Sequence, residues 1–160
     1  IIKDKLSNIL DMLFISPPFG NYISLPFTTS IAGSFTNEPR EGLFLQVIKT
    51  LRYSFEMKGW VNKIGLRNKG IDWAIKNVPE DKIISIAIIN KKDIPDILKK
   101  LPENRSIELN VSCPNAEKEM ISEGLKGFIN PNRKWCIVKI SPYSSEKDID
   151  LLYNTGSDNF

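Results

Sequence analysis

The sequence predicts an α/β fold of the (β/α)8 TIM barrel type, and two observations support it. Beyond residue 80, short apolar segments typical of strands alternate with helical segments over short links, which indicates parallel βαβ units. Polar residues follow successive predicted strands, with Asn110 and Cys113 after one strand and Lys139 and Ser141 at the next. Barrel enzymes carry their chemistry at that rim. The barrel explains the polar rim better than an open, doubly wound sheet, which also fits the alternation.

The first eighty residues give weaker signals. Residues 3–13 have the apolar spacing of a helix, and the prolines and glycine of residues 16–21 end it. Residues 27–37 are predicted to run from a short strand into a loop. Residues 43–61 combine helical apolar spacing with strand-favouring aromatic residues, so helix and strand both remain open. Residues 71–78 predict a short helix that ends before a proline.

The later elements are clearer. Strands are predicted at 83–89, 106–112 and 135–140, and helices at 93–101, 116–125 and 146–153. Asp93 is the expected cap of the helix at 93–101, and Pro95 fits its first turn.

The length fits part of a barrel. With roughly 35 to 40 residues per strand–helix unit, the chain would form only the N-terminal half to two-thirds of a barrel. It starts at Ile1 rather than Met and ends at Phe160 without a helix stop signal. We therefore interpret residues 1–160 as one partial domain of a longer reading frame, cut at both ends.

Composition excludes several classes of function. Hydrophobic residues make up 41% and charged residues 26% of the chain, as in soluble globular domains. The net charge of +3 comes from scattered lysines matched by nineteen acids, so no nucleic-acid partner is expected. No apolar run reaches the ~18 residues of a membrane span. The chain has no histidine, and its two cysteines have no metal-ligand spacing, so we expect no metal site and a cytoplasmic, reducing location.

Three features of the residues could carry chemistry. Asn110 and Asn115 flank Cys113, and two amides with a thiol suit a planar ligand and a base or nucleophile, although a lone cysteine can also be a small buried side chain. Lys139 lies in an apolar strand, where an ammonium must find an anion or reach water. Asn62 begins a glycine-containing loop that either offers backbone N–H groups to a ligand or is an ordinary turn.

Four segments, taken in order, resemble the dihydroorotate dehydrogenase family. They are Thr36-Asn37-Glu38-Pro39-Arg40-Glu41-Gly42, Asn62-Lys63-Ile64-Gly65-Leu66-Arg67-Asn68, Asn110-Val111-Ser112-Cys113-Pro114-Asn115 and Val138-Lys139-Ile140-Ser141-Pro142-Tyr143. The resemblance covers roughly residues 14 to 160. It implies an FMN-dependent (β/α)8 barrel that oxidises dihydroorotate to orotate in pyrimidine biosynthesis.

The resemblance also implies a role for individual residues. Cys113 would take the proton from C5 of dihydroorotate while hydride leaves C6 for the flavin. The substrate would be bound by the side chains of Asn62, Asn110 and Asn115 and by the backbone N–H groups of Ile64, Gly65 and Leu66. The flavin would be contacted by Lys139, Ser34 and Asn110. Cysteine at position 113 is similar to the soluble branch of the family, whose members usually pair, so a homodimer is expected for the full-length protein.

The chain departs from the family pattern at Gly33, where members usually carry a lysine that touches flavin and substrate. The first barrel helix is predicted to be shortened or missing, and the family's flavin-phosphate site lies in later strands, so the 160 residues alone should bind FMN poorly. Fumarate, a nicotinamide-linked subunit and quinone all remain possible electron acceptors. Two alternatives also stay open: a flavin barrel acting on another pyrimidine, and a family member that has lost catalysis and serves as a binding or structural subunit.

Overall fold

A five-stranded parallel sheet forms the centre of the molecule, with helices against one face. The structure is a computed structural model that describes residues 13–112 and 124–157. Within these ranges the strands are β1 (Phe14–Ile15), β2 (Thr29–Phe35), β3 (Arg52–Ser54), β4 (Gly59–Val61), β5 (Ile83–Ala87), β6 (Ile107–Asn110) and β7 (Cys136–Lys139). The helices are α1 (Leu43–Thr50), α2 (Ile71–Asn77), α3 (Ile94–Lys100) and α4 (Glu146–Ser157), with 3-10 turns at Phe19–Asn21, Lys91–Asp93 and Lys126–Phe128.

The predicted alternation of strands and helices beyond residue 80 is confirmed where the residues are described. The predicted helices at 3–13 and 116–125 lie almost entirely outside the described residues. Between β1 and β2 the structure contains only a 3-10 turn, which agrees with a shortened or missing first helix.

The strand order favours a barrel over a doubly wound sheet. The order is β1-β2-β5-β6-β7, and every neighbouring pair is parallel. Each strand is thus added on the same side of the strand before it, whereas a doubly wound sheet reverses direction at a switch point. The predicted α/β class is confirmed, and sequential addition is the order that a barrel requires.

Aromatic side chains from the two edges of the sheet meet, which shows that the sheet curls. In a flat sheet β1 and β7 would lie about 19 Å apart, because neighbouring strands are about 4.8 Å apart. The ring centroids of Phe14 in β1 and Trp135 just before β7 are 5.2 Å apart, at an interplanar angle of 87°. The edge strands therefore face each other across a concave face, as in half a barrel.

The opposite, convex face carries the apolar core. Ile84 and Ile86 of β5 and Ile107 and Leu109 of β6 are at most 1% exposed, and they pack against residues of α2, α3 and the turn at Phe128. Each such side chain contributes about 1.5–3 kcal/mol by leaving water. This layer fixes the strands whose other face forms the candidate site.

The ambiguous segment 43–61 contains both kinds of structure. It folds as α1 followed by the antiparallel hairpin β3–β4, in which Tyr53 stands opposite Trp60. No residue of α1 is buried, and the hairpin exposes Tyr53, Phe55 and Trp60. In the described ranges the structure contains no helix with the length and apolarity needed to cross a bilayer.

Candidate active site at the carboxyl ends of the strands

The concave face becomes polar toward the carboxyl ends of the strands. Ser85 of β5 lies beside Glu108 of β6, and Asn110 of β6 lies beside Lys139 of β7. Because the strands are parallel, these ends meet at one rim of the sheet. The predicted site residues Asn110 and Lys139 are therefore brought together.

The side chain of Asn110 is held on both sides of its amide. Its Nδ2 donates to Ser34 Oγ at 2.9 Å, and its Oδ1 accepts from Ser112 Oγ at 2.6 Å and from the Ser112 N–H at 3.2 Å. These contacts use three of the four hydrogen bonds that an amide can make. Among the described residues, one N–H of the Asn110 amide has no partner and is left for a ligand. The three hydrogen bonds fix the direction in which this N–H points.

A buried carboxylate lies beneath Lys139. Glu108 Oε1 accepts from Lys139 Nζ at 2.8 Å and from Ser85 Oγ at 2.6 Å. The Glu108 side chain is 3% exposed and that of Lys139 34% exposed. Burying a charge is costly unless it is paired and hydrogen-bonded, and both conditions hold for Glu108. The anion that the sequence analysis required for Lys139 is thus an internal one, and the ammonium still reaches the rim.

Ser34 connects these two groups. Its Oγ accepts from Asn110 and lies 2.8 Å from Ser85 Oγ, so one hydrogen-bonded chain crosses β2, β5, β6 and β7. We call this chain the rim network; its members are Ser34, Ser85, Glu108, Asn110, Ser112 and Lys139. It joins all three residues that the sequence analysis assigned to the flavin.

Gly33 is built into the backbone next to this network. Its φ is +133°, and a Cβ at this position would lie 2.6 Å from the Ser85 carbonyl oxygen. Its N–H donates to Asn21 Oδ1 at 2.8 Å. The β2–β5 register shifts between Ala32 and Phe35, which brackets this glycine. Position 33 therefore has no room for the lysine that the family usually carries there.

The Asn62 loop forms a tight turn. Asn62 Oδ1 accepts from the Ile64 N–H at 3.2 Å, and Gly65 has a φ of +68°. Gln46 of α1 donates to the Lys63 carbonyl at 3.1 Å, which ties the loop to the helix. The internal hydrogen bond fits an ordinary turn and a ligand-binding loop equally well, and the backbone N–H groups of Gly65 and Leu66 remain candidates for ligand binding.

A cavity of about 720 Å³ lies between this loop and β2. This volume is in the range of small-molecule sites. Its lining includes Ser34 and the predicted substrate residues Asn62, Ile64, Gly65 and Leu66, together with the cationic side chains Arg67, Lys69 and Lys82. Ser34 belongs to both the cavity and the rim network, whereas Asn110 and Lys139 belong to the network.

The predicted base Cys113 and the predicted ring ligand Asn115 lie outside the described residues.

Sequence reasoning missed Ser85 and Glu108. Each is a polar residue with an apolar neighbour on either side in its strand. Ser85 stands between Ile84 and Ile86, and Glu108 stands between Ile107 and Leu109. In a strand covered on both faces, a polar residue needs a partner within the fold. That signal identifies the positions, but the partners follow only from the register.

The chain is similar in sequence to curated proteins that are named dihydroorotate dehydrogenases. The chain is 37% identical, over 74% of its length and 44% of the relative, to a protein of Streptococcus agalactiae provisionally named dihydroorotate dehydrogenase A (fumarate). It is 32% identical, over 64% of its length and 40% of the relative, to the catalytic subunit of dihydroorotate dehydrogenase B (NAD(+)) of Petrotoga mobilis. The corresponding subunit of Bacteroides thetaiotaomicron is 31% identical, over 52% of this chain and 34% of the relative.

These relatives confirm the resemblance to dihydroorotate dehydrogenases on a partial chain. The chain spans between about a quarter and under half of the length of the curated relatives it matches. The names of the relatives describe oxidoreductases. No family model and no solved structure matches the chain.

Proposed function

We propose that this chain is part of an FMN-dependent dihydroorotate dehydrogenase, a (β/α)8 barrel that oxidises dihydroorotate to orotate in pyrimidine biosynthesis. The observation that carries the proposal is the rim network, which fixes Ser34, Asn110 and Lys139 at the carboxyl ends of a curled parallel sheet. The similarity to proteins with this name supports it. The complete protein would be a cytoplasmic homodimer.

The substrate would be bound by amide groups and backbone N–H groups. Asn62, Asn110 and Asn115 would hydrogen-bond the pyrimidine ring. The N–H groups of Ile64, Gly65 and Leu66 would hold its carboxylate, and the cationic residues of the neighbouring cavity favour an anion. Because the Ile64 N–H donates to Asn62 Oδ1, this turn would exchange its internal hydrogen bond for contacts with the substrate.

The rim network fits a flavin ring. Lys139 offers a partly exposed ammonium, Asn110 an oriented amide and Ser34 a hydroxyl, and these groups suit the alternating donor and acceptor edge of an isoalloxazine. When bound, FMN supplies the acceptor for the hydride that leaves C6. Lys139 would stabilise negative charge on the reduced ring.

Cys113 would be the base. Its thiolate would take the proton from C5, and loss of this proton together with the C6 hydride forms the C5=C6 double bond of orotate. A positioned base contributes typically 10²–10⁴-fold to the rate. We therefore expect Cys113→Ala to slow reduction of the bound flavin by dihydroorotate by at least about 100-fold in the complete protein.

The second cysteine provides the matched control. Cys136 is exposed on β7, so Cys136→Ala removes a thiol without touching the rim network and should leave the rate unchanged. Stopped-flow absorbance of the flavin measures both variants. Equal rates for wild type and Cys113→Ala would contradict the assignment of the base.

One observation favours a second candidate, oxidation or reduction of another pyrimidine by the same kind of flavin barrel. The family's substrate-contacting lysine is replaced by Gly33, and the backbone there leaves no space for it. The asparagine set for a similar ring is kept. Flavin reduction by dihydrouracil in preference to dihydroorotate would support this candidate over the first.

A further inference from the structure

The Lys139 ammonium bonds to Glu108 of the neighbouring strand, which lies two positions earlier in the register than Lys139. In the β6–β7 register Lys139 stands beside Asn110, and Glu108 stands beside Ile137. Glu108 nevertheless accepts from Lys139 Nζ at 2.8 Å, so the lysine side chain leans back along the concave face. A free lysine side chain carries about 2 kcal/mol of rotamer entropy, and the contact with Glu108 restricts Lys139 to a few of its rotamers.

Glu108 is in turn held by another side chain. Its Oε1 accepts from the fully buried Ser85 Oγ at 2.6 Å, and Ser85 lies 2.8 Å from Ser34 Oγ. Glu108 itself is buried, so it does not reach a ligand at the rim except through Lys139.

We propose that Glu108 is the positioning residue for Lys139 and that Ser85 orients Glu108. The inference rests on the proposed function, because it assumes that Lys139 meets the flavin. In this arrangement Glu108 keeps the ammonium on the concave face, beside Asn110, where an anionic group of the ligand would meet it. Removing Glu108 leaves the lysine in the chain but frees it to point into solvent.

The test is a double-mutant cycle on FMN binding in the complete protein that contains this sequence. The four proteins are wild type, Glu108→Gln, Lys139→Met and the double variant, and flavin fluorescence quenching gives each Kd. We expect Glu108→Gln to weaken FMN binding about tenfold, which corresponds to about 1.4 kcal/mol. In the Lys139→Met background the same change should alter the Kd less than twofold, because the residue that Glu108 positions is absent.

A structural role predicts a different result. If Glu108 only supports the fold, Glu108→Gln weakens FMN binding by the same factor in both backgrounds, and this outcome overturns the proposal while the proposed function stands. No effect of Glu108→Gln in either background also overturns it. If wild type binds no FMN, the proposed function fails and the positioning inference fails with it.

Two further variants keep the test decisive if Glu108→Gln does not fold. Ser85→Ala leaves the carboxylate in place but removes its orienting hydroxyl, and should weaken FMN binding severalfold more when Lys139 is present than in the Lys139→Met background, where only the contact with Ser34 is lost. Glu108→Asp keeps the charge but withdraws it by one methylene from Lys139. Positioning predicts that Glu108→Asp binds FMN as weakly as Glu108→Gln, whereas simple charge neutralisation predicts wild-type affinity and would overturn the proposal.

Discussion

The two faces of the parallel sheet use the same strands for different purposes. In β6, Ile107 and Leu109 point to the convex face and are at most 1% exposed, packed in the apolar core. Glu108 and Asn110 alternate with them and point to the concave face, where each bonds to polar partners on other strands. The convex face holds the fold, and the concave face carries the candidate site.

This difference separates stability from binding. Substitutions on the convex face should lower the free energy of unfolding and affect a ligand only indirectly. Substitutions on the concave face should change ligand binding at a smaller cost in stability, because they remove one hydrogen bond rather than a packed side chain. Variants on each face test this division.

The largest effect is expected on the convex face. Ile86 is 0% exposed at the centre of the core, so Ile86→Ala should lower the free energy of unfolding by about 3–4 kcal/mol through lost burial and a cavity. Ile48→Ala is the control, since Ile48 of α1 is 64% exposed and should cost less than about 0.5 kcal/mol. Urea unfolding with unchanged m-values measures both. A cost below about 1 kcal/mol for Ile86→Ala would contradict the described core.

The next largest loss of stability is expected for substitution of Gly33. Gly33→Ala should cost about 2–3 kcal/mol, because φ is +133° and the new Cβ meets the Ser85 carbonyl. Gly42 also has a positive φ, of +88°, but open space around it, so Gly42→Ala should cost only about 1 kcal/mol. Thermal unfolding compares the pair. A Gly33→Lys protein as stable as wild type would show that position 33 accepts the family's lysine after all.

On the concave face, Ser85→Ala should cost about 1–2 kcal/mol of stability, because Glu108 loses one of its partners while buried. Its effect on FMN affinity should nevertheless exceed that of Ile86→Ala. Parallel urea titrations and flavin binding curves on these two variants give both quantities. If the two variants lose affinity in proportion to their lost stability, the division between the faces is wrong.

The smallest effect is expected at an exposed ion pair behind the convex core. Hydrogen bonds from Lys100 and Asn37, in that order, lower the pKa of Asp96, and the bond to Asp96 raises the pKa of Lys100. The stability that Asp96 contributes is therefore present above its unfolded pKa and is lost as the pH falls through its lower folded value. The difference in stability between wild type and Asp96→Asn should be constant from pH 5 to 9 and shrink below about pH 4.

Urea unfolding of wild type and of the Asp96→Asn variant at several pH values measures this difference. Lys100 has a raised pKa, so its contribution is lost only as the pH rises above its unfolded value of about 10.5. A difference that grows on acidification would contradict the assignment of the pair.

The sequence predicts the fold where the pattern is local. The apolar runs at 83–89 and 106–112 and the helix at 93–101 appear with ends shifted by a few residues, because burial and capping act within each segment. Segment 43–61 was ambiguous because α1 has no buried residue, so its apolar spacing does not report a core contact. Its hairpin depends on the pairing of Tyr53 with Trp60, which spacing alone does not reveal.

The candidate site was predictable in part for the same reason. Asn110 and Lys139 stand out locally, as polar residues at the ends of apolar strands, and the structure brings them together with Ser34. Glu108 and Ser85 were missed because their importance depends on the register between strands. The sequence alone identifies Gly33 only as a missing lysine, whereas its positive φ and the close approach of the Ser85 carbonyl show a backbone that requires glycine.

The proposed activity can be measured by adding dihydroorotate, without oxygen, to the complete FMN-loaded protein and recording the flavin absorbance. We expect the absorbance of the oxidised flavin to disappear as about one equivalent of substrate is added, because each dihydroorotate delivers one hydride. A bound flavin that stays oxidised would contradict dihydroorotate as the substrate. A complete protein that binds no flavin would contradict the proposed function as a whole.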